Sequence, residues 1–453
     1  MTKQQKQKVQ VNALEQINSN AAGIDIGSEE MYVAVPPGRD EESVRCFPTF
    51  TADLHRLADW LKSCGINTVA MESTGVYWIP LFEILEACGF QVYLVNARHL
   101  KNVSGRKTDV LDCQWLQQLH TYGLLRPSFR PPEQIVAIRS LVRHREMLVE
   151  YRSAHIQHMQ KALTQMNLRL TNVLSDITGV TGLKIIRAIL AGERNPKVLA
   201  QFRDERCKKS EAEITKSLEG HYKREQVFAL KQAVELYDFY DRQLRECDAE
   251  LEAMYKEFEP PQNPGTPPPA PHRGKRRKNQ AHFDLASTLY RMTGVDLTQI
   301  DGVDALTIQK VLSEIGTDMS KWPTVKHFAS WLRLCPNNKI TGGKIIHTGV
   351  LPTQNRASTA LRVAAASLKH SDSALGAYYR RKRAQLGAPA AITATAHKLA
   401  RIIYFMLSEH KPYHDFGADY FEEQHRARVL RNLNRQAARL GFRLEPTLAT
   451  TSI

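Results

Sequence analysis

Cysteine is scarce in this chain of 453 residues. There are seven (Cys46, Cys64, Cys88, Cys113, Cys207, Cys247 and Cys335), widely scattered, with no C-x-x-C pair among them. A disulfide framework and a zinc finger both fail on that spacing, which fits a reducing compartment. Long apolar runs are missing as well. No uninterrupted stretch reaches membrane-spanning length, and the opening residues MTKQQKQKVQVNALEQ are polar, without an apolar signal core. Membrane insertion and secretion are therefore disfavoured, and a cytoplasmic location is expected. Acid is in deficit: 47 Asp and Glu stand against 62 Lys and Arg, a net charge of +15. An excess of that size points first to nucleic acid as partner. What is present in quantity is core-forming material. With 42% hydrophobic residues the chain folds rather than staying disordered, and its length suits two to four domains.

Strand and helix patterns alternate over residues 1–130. Apolar or alternating runs occur at Gly23–Ile26, Met31–Val35, Val44–Phe47, Thr68–Met71 and Val92–Val95, with helical periodicities from Leu54, Leu81 and Val110. Three strands at hairpin spacing followed by αβαβα predict a mixed sheet with helices on its faces. Residues 131–258 read instead as long charged helices. Val227, Leu230, Val234, Tyr237, Tyr240, Leu244, Cys247, Leu251 and Met254 step by three and four. That seam fits an arm of an antiparallel or intermolecular coiled coil and fits equally a helix packed within its own domain.

Residues 259–283 form the clearest boundary. Seven of the 21 prolines lie between Pro260 and Pro271, followed by Arg273, Lys275, Arg276, Arg277 and Lys278, and no acid lies between Glu259 and Asp284. The expectation is an extended or disordered basic linker. Residues 284–415 return to helix. Ile300-Asp-Gly-Val-Asp and the earlier Ile177-Thr-Gly-Val-Thr share a Gly-Val turn before a helix, a helix-hairpin-helix pattern whose turn amides can meet a phosphate or make a packing corner. In the tail, 416–453, Arg428, Arg431, Arg435 and Arg439 form one helical face and Leu430, Leu433, Ala437 and Leu440 another. The apolar face is expected to dock on the protein and the Arg row to face phosphate.

Four carboxylates carry the chemistry. Asp25 lies within the apolar strand Gly23-Ile-Asp-Ile-Gly, where burial is costly unless the charge is paired or cation-bound. Glu72 ends the fourth strand, which can neighbour the first. Asp109 and Asp112 are three apart and share a helix face, with Thr108 placed to cap it. Gathered in one site they would repel, and a hard divalent cation, Mg²⁺ or Mn²⁺, resolves that. Two such ions can hold the attacking and leaving oxygens of a phosphodiester.

Gly23-Ile-Asp-Ile-Gly, Met71-Glu-Ser-Thr-Gly-Val-Tyr and Arg106-Lys-Thr-Asp-Val-Leu-Asp resemble the DEDD motifs of the IS110 family of insertion-sequence transposases, relatives of the Piv DNA invertases. The likeness continues in Leu297-Thr-Gln-Ile-Asp-Gly-Val, Phe328-Ala-Ser-Trp-Leu-Arg-Leu-Cys-Pro, Ile340-Thr-Gly-Gly-Lys and Ser358-Thr-Ala-Leu-Arg, and spans roughly residues 20–125 and 295–410. It implies a RuvC-like, ribonuclease-H-type domain at 1–130, a helical coiled-coil region, and a helical C-terminal transposase domain. It implies Asp25, Glu72, Asp109 and Asp112 as metal ligands and catalytic groups. The partners it implies are donor and target DNA, an element-encoded noncoding guide RNA, and further copies of the chain, as a dimer to tetramer with a site composed between protomers. The setting it implies is a bacterial cytoplasm, close to the nucleoid.

The resemblance also implies a serine nucleophile in the second domain, and here the sequence departs from it. Thr341 occupies that place. Its hydroxyl can act once activated, although its β-methyl stiffens χ1 and crowds an in-line attack. Ser358 is the nearest other hydroxyl and reads as a helix N-cap. Gly342 and Gly343 would let backbone approach a phosphate, with charge around them from Lys339, Lys344 and Arg362, and Arg106 and Lys107 are further candidates for binding nucleic acid. Among weaker signals, His155 and His158 read as solvated helix residues, and Tyr77 and Trp78 as core or base-stacking residues.

Overall fold

The structure is a computed structural model that describes residues 15–73, 75–96, 109–265, 267–269, 278–352 and 355–445. The chain divides after Arg130 into two compact units. The first runs β1 (Ala21–Ile26), β2 (Glu30–Ala34), β3 (Val44–Pro48), α1 (Thr51–Ser63), β4 (Thr68–Glu72), α2 (Trp78–Ala87), β5 (Gln91–Val95) and α3 (Asp109–Thr121). The sheet order is β3-β2-β1-β4-β5, with β1–β2 and β2–β3 antiparallel and β1–β4 and β4–β5 parallel. This is the expected mixed sheet, in ribonuclease-H-type order.

Alternation along the strands assigns the two faces. Ala22, Ile24 and Ile26 of β1 and Val69 and Met71 of β4 join Leu54, Leu57, Leu61, Leu81 and Leu85 from α1 and α2 in one core. Each such leucine stabilises the fold by about 1.5–3 kcal/mol. The residues between them, Gly23 and Asp25 on β1 and Thr68 on β4, lie on the face that α3 covers. The approach is close: a Cβ on Gly23 would stand 2.3 Å from both the Cys113 carbonyl oxygen and the Gln117 nitrogen. At the far end of α3 the His120 ring is buried, its Nε2 2.8 Å from Thr68 Oγ1 and its ring 4.5 Å from that of Tyr93.

The second unit is built on two 33-residue helices, α4 (Glu133–Gln165) and α9 (Arg224–Lys256). Between them, α5 (Leu170–Val173), α6 (Val180–Leu190), α7 (Pro196–Ala200) and α8 (Glu211–Ser217) close a lobe around Met159, Ile185, Leu199 and Leu230. The heptad-like seam closes within the chain. Leu230, Val234, Leu244, Cys247 and Leu251 are buried, and Tyr151–Tyr240, Arg152–Asp241 and Arg145–Asp248 contacts show α9 running antiparallel to α4.

The Pro-rich linker departs from expectation, because its described parts are docked. Gly265 N donates to the Gly294 carbonyl (2.8 Å). Asn279 accepts from Arg145 through its carbonyl (3.1 Å) and from Arg152 through its side chain (2.7 Å). His282 bonds Asp248 through its amide and Nδ1. Buried guanidinium and carboxylate groups require partners, and this segment supplies them. Arg273, Lys275, Arg276 and Arg277 lie outside the described residues.

The chain then continues through α10 (Leu285–Thr293), α11 (Ala305–Ile315), α12 (Val325–Trp331), a hairpin of β6 (Lys339–Thr341) and β7 (Lys344–His347), α13 (Arg356–Ser367), α14 (Ala374–Leu386), α15 (Ala388–Glu409) and α16 (Gly417–Arg439). At the Ile300 turn, Asp304 caps α11 by accepting from Thr307 N (2.8 Å), and Gly302 packs on Leu368. The turn thus serves as a packing corner, with one amide of the following helix already taken by Asp304. The tail helix needs the plainest correction. No residue of α16 is buried, and Leu430, Leu433 and Leu440 are exposed. Phe421 anchors only its first turns, against Tyr378 and Arg381. Among the described residues, no helix is long and apolar enough to cross a membrane.

Candidate active site

Asp25 is half-buried near the carboxyl end of β1. Ile24 pairs with Met71 across the parallel β1–β4 ladder, so the next step along each strand brings Asp25 and Glu72 side by side. From there the chain leaves β1 toward β2 and β4 toward β5, in opposite directions across the sheet. Such divergence opens a crevice at the carboxyl ends of the strands. Asp109 and Asp112 occupy the first turn of α3. Because Gly23 lets the next turn rest on β1, that first turn lies beside Asp25.

Electrostatics sets Asp109, Asp112 and Glu72 within range of Asp25. The Asp25 carboxyl is pushed up from 3.8 to about 6, by burial first, then by the charges of Asp109, Asp112 and Glu72, with the Ile26 amide opposing. A carboxylate so burdened favours either a proton or a cation. All four donors are hard oxygens, the set that suits a divalent cation of the Mg²⁺ class. Among the described residues no three His, Cys, Asp or Glu side chains converge as a ready-made metal cage. The acids are gathered without being closed.

Two further side chains share this face. Tyr32 is the register partner of Asp25, and Cys46 is that of Tyr32. The Tyr32 hydroxyl donates to Glu30 (3.3 Å), and its phenol is raised to about 12, by its bond to Cys46 first. The period-two alternation of β2 and β3 would have marked both from the sequence. Arg106, Lys107 and Thr108 lie outside the described residues.

Thr341 belongs to the second unit, at the end of β6. Gly342 (φ 54°) and Gly343 (φ 77°) make the two-residue turn between β6 and β7. Two successive positive φ values define a type I′ hairpin, for which glycine is the natural residue. Lys339, Thr341 and Lys344 are exposed on it. Ser358 is wholly buried, and its Oγ has no hydrogen-bond partner. The cap of α13 is Asn355, whose side chain accepts from Ser358 N (3.0 Å). Arg362 is half-buried, with Nε and Nη2 enclosed and unpaired. Arg428, Arg431, Arg435 and Arg439 are exposed along α16. Trp78 packs on Phe82, Tyr77 is exposed, and His155 stacks on Tyr240.

Two family models match the chain. The IS110 DEDD transposase model covers residues 22–168, and the model of the transposase IS116/IS110/IS902 family covers residues 296–380. The chain belongs to the IS110-type DEDD transposases. A search of curated proteins finds no match. The first match contains all four acids and the second contains Thr341. Residues 169–295, with the α5–α8 lobe and α9, lie outside both. Membership makes the protein an insertion-sequence transposase with DNA as substrate, and the DEDD type implies dependence on a divalent metal.

Proposed function

We propose that this transposase cuts and rejoins DNA at a site holding Mg²⁺, or Mn²⁺, on Asp25, Glu72, Asp109 and Asp112, with Thr341 as nucleophile. The observation that carries the reading is the gathering of the acids: the β1–β4 register sets Asp25 beside Glu72, and burial first, then the charges of Asp109, Asp112 and Glu72, raise the proton affinity of Asp25. When bound, the cation supplies charge neutralisation and activation of phosphodiester oxygens. Thr341 Oγ1 forms a P–O bond to the strand while the bond to the leaving strand oxygen breaks. That oxygen departs as a hydroxyl, taking a proton from solvent, and the Thr341 proton passes to solvent or a carboxylate. Lys339, Lys344 and Arg362, with Gly342 and Gly343 at the turn, serve the phosphates near the hydroxyl, and Arg106, Lys107 and the Arg row of α16 serve other phosphates of the bound nucleic acid. A structured noncoding RNA encoded by the element selects donor and target DNA by base pairing, so little sequence specificity needs to reside in side chains. The working form is an oligomer, from dimer to tetramer.

The test is a denaturation-resistant protein–DNA adduct, formed with the element's own RNA and DNA and mapped by peptide mass. The adduct is expected at Thr341, only with divalent cation. It should be lost in Asp25→Asn, which still binds nucleic acid, and retained or increased in Thr341→Ser. A second reading, a metal-dependent nuclease using water, is favoured by one observation: the Thr341 hydroxyl has no hydrogen-bonded base among the described residues. Cleavage by Thr341→Ala without an adduct would establish that reading. Activity confined to Thr341→Ser would mark the natural chain as an impaired nucleic-acid-binding protein.

A further inference from the structure

Far along the chain from the acids, α14, α15 and α16 meet at a junction that sequence reading did not single out. Tyr378 of α14 and Phe421 of α16 lie edge to face, centroids 6.0 Å apart. Lys398 of α15 reaches over both rings, its Nζ 4.6 Å from one centroid and 4.9 Å from the other. Arg381 stacks on Phe421 at 4.4 Å. Its Nη2 is enclosed, in ion-pair range of Glu422 (2.8 Å) yet without hydrogen-bond geometry. Burial, then Arg381, Arg401 and Arg428, hold the Lys398 ammonium below the usual lysine range, and Asp415 alone opposes them. Asp415 is itself engaged, accepting from Ala374 N (3.0 Å).

The junction therefore holds more fixed cation than its two acids neutralise. Arginine cannot relieve the repulsion by shedding a proton, and a bound anion would relieve it. A small anion would answer the cluster alone, but the charge continues outward. From Arg428, α16 carries Arg431, Arg435 and Arg439, with no acid between Gln424 and Leu444. At about 1.5 Å per residue this rail is roughly 16 Å long. That length spans about five phosphates of one strand of duplex at ~3.4 Å each.

We propose that Arg381, Lys398, Arg401 and Arg428, continued by Arg431, Arg435 and Arg439, form a clamp on the sugar–phosphate backbone of bound nucleic acid, and that the clamp is blind to sequence. The ligand class rests on the nucleic-acid reading above. The blindness rests on geometry. Lys398 and Arg381 already cover the ring faces of Tyr378 and Phe421, so no base stacks there, and the cationic heads that remain meet phosphate.

The experiment is a salt titration of binding for the full chain and the triple variant Lys398→Gln, Arg401→Gln, Arg428→Gln. The probes are two labelled DNA duplexes of unrelated sequence and one RNA hairpin. The plot of log affinity against log salt should flatten by about 2 to 3 in the variant, with the same fold loss on both duplexes. Flattening on the hairpin alone supports the clamp and assigns it to RNA. An unchanged slope with unchanged affinity overturns it, and a loss on one duplex only overturns its blindness. Should the triple variant melt early, Arg401→Gln with Arg428→Gln, both exposed, should still flatten the slope by about 2. Failure of the natural chain to bind any probe would instead defeat the nucleic-acid reading, a result separable from every outcome above.

Discussion

His120 is a base folded away from water with no acid beside it. Thr68 gives its single hydroxyl proton to the Gln91 carbonyl (3.0 Å), so it accepts from His120 Nε2, and burial lowers the imidazole from 6.5 to about 4. The unfolded chain thus binds a proton more readily than the folded one below neutrality. The stabilisation from this residue is complete above about pH 6.5 and is lost as pH falls toward 4. We expect the natural chain to lose roughly 3 kcal/mol more than His120→Gln between pH 7 and pH 4, read from urea melts followed by fluorescence in the first unit. Parallel curves for the two proteins would show that His120 titrates normally. At this scale legibility depended on how local the signal was. Asp25 could be read because a carboxylate in an apolar strand needs a reason, and Asp109 and Asp112 because three-residue spacing fixes a helix face. His120 could not, since its burial exists only once α3 lies on β1 at Gly23. Tyr378, Lys398 and Phe421 come from three separate helices and share no local pattern.

The pairing of α4 with α9 shows what periodicity specifies and what it leaves open. Steps of three and four between Val227 and Met254 identify the buried face of α9, because side chains so spaced stack on one side of a helix. They do not identify the partner, since any complementary helix satisfies the same seam. Polar contacts inside the seam decide it. Arg145 and Asp248, whose side chains are 7% and 1% exposed, pair at 2.5 Å, and His282 shares the same carboxylate. Composition predicts an extended or disordered segment, because it counts prolines but not the acceptors Asn279 offers to Arg145 and Arg152 or the donors His282 offers to Asp248. Asp248→Ala should cost about 3–5 kcal/mol, because it leaves a guanidinium buried without its counter-ion. Arg145→Met combined with Asp248→Leu should recover most of that loss. Equilibrium urea unfolding of the single and double variants tests this, and a double variant as unstable as the single one would mean that packing, not the stranded charge, sets the cost.

Across the whole molecule, the acids belong to the first unit and Thr341 to the second, more than three hundred residues after Asp25 in the sequence. The mixed sheet and its flanking helices were legible because strand and helix patterns are each a few residues long. The meeting of carboxylates with hydroxyl has no such trace, since no periodicity links β1 to the β6–β7 turn. The proposed chemistry nevertheless requires that meeting, within one protomer or between two, and oligomer symmetry makes the alternatives countable. Asp25→Asn keeps a good hydroxyl and loses an acid, while Thr341→Ala does the reverse. If acids and hydroxyl come from different protomers of a dimer, equal mixing with free subunit exchange makes half the dimers mixed. Each mixed dimer then holds one intact site of two, so about a quarter of natural strand cleavage returns. If both come from the same protomer, the mixture stays as inactive as either variant. We expect the quarter, measured as adduct formed per protomer after co-incubation of the two purified variants.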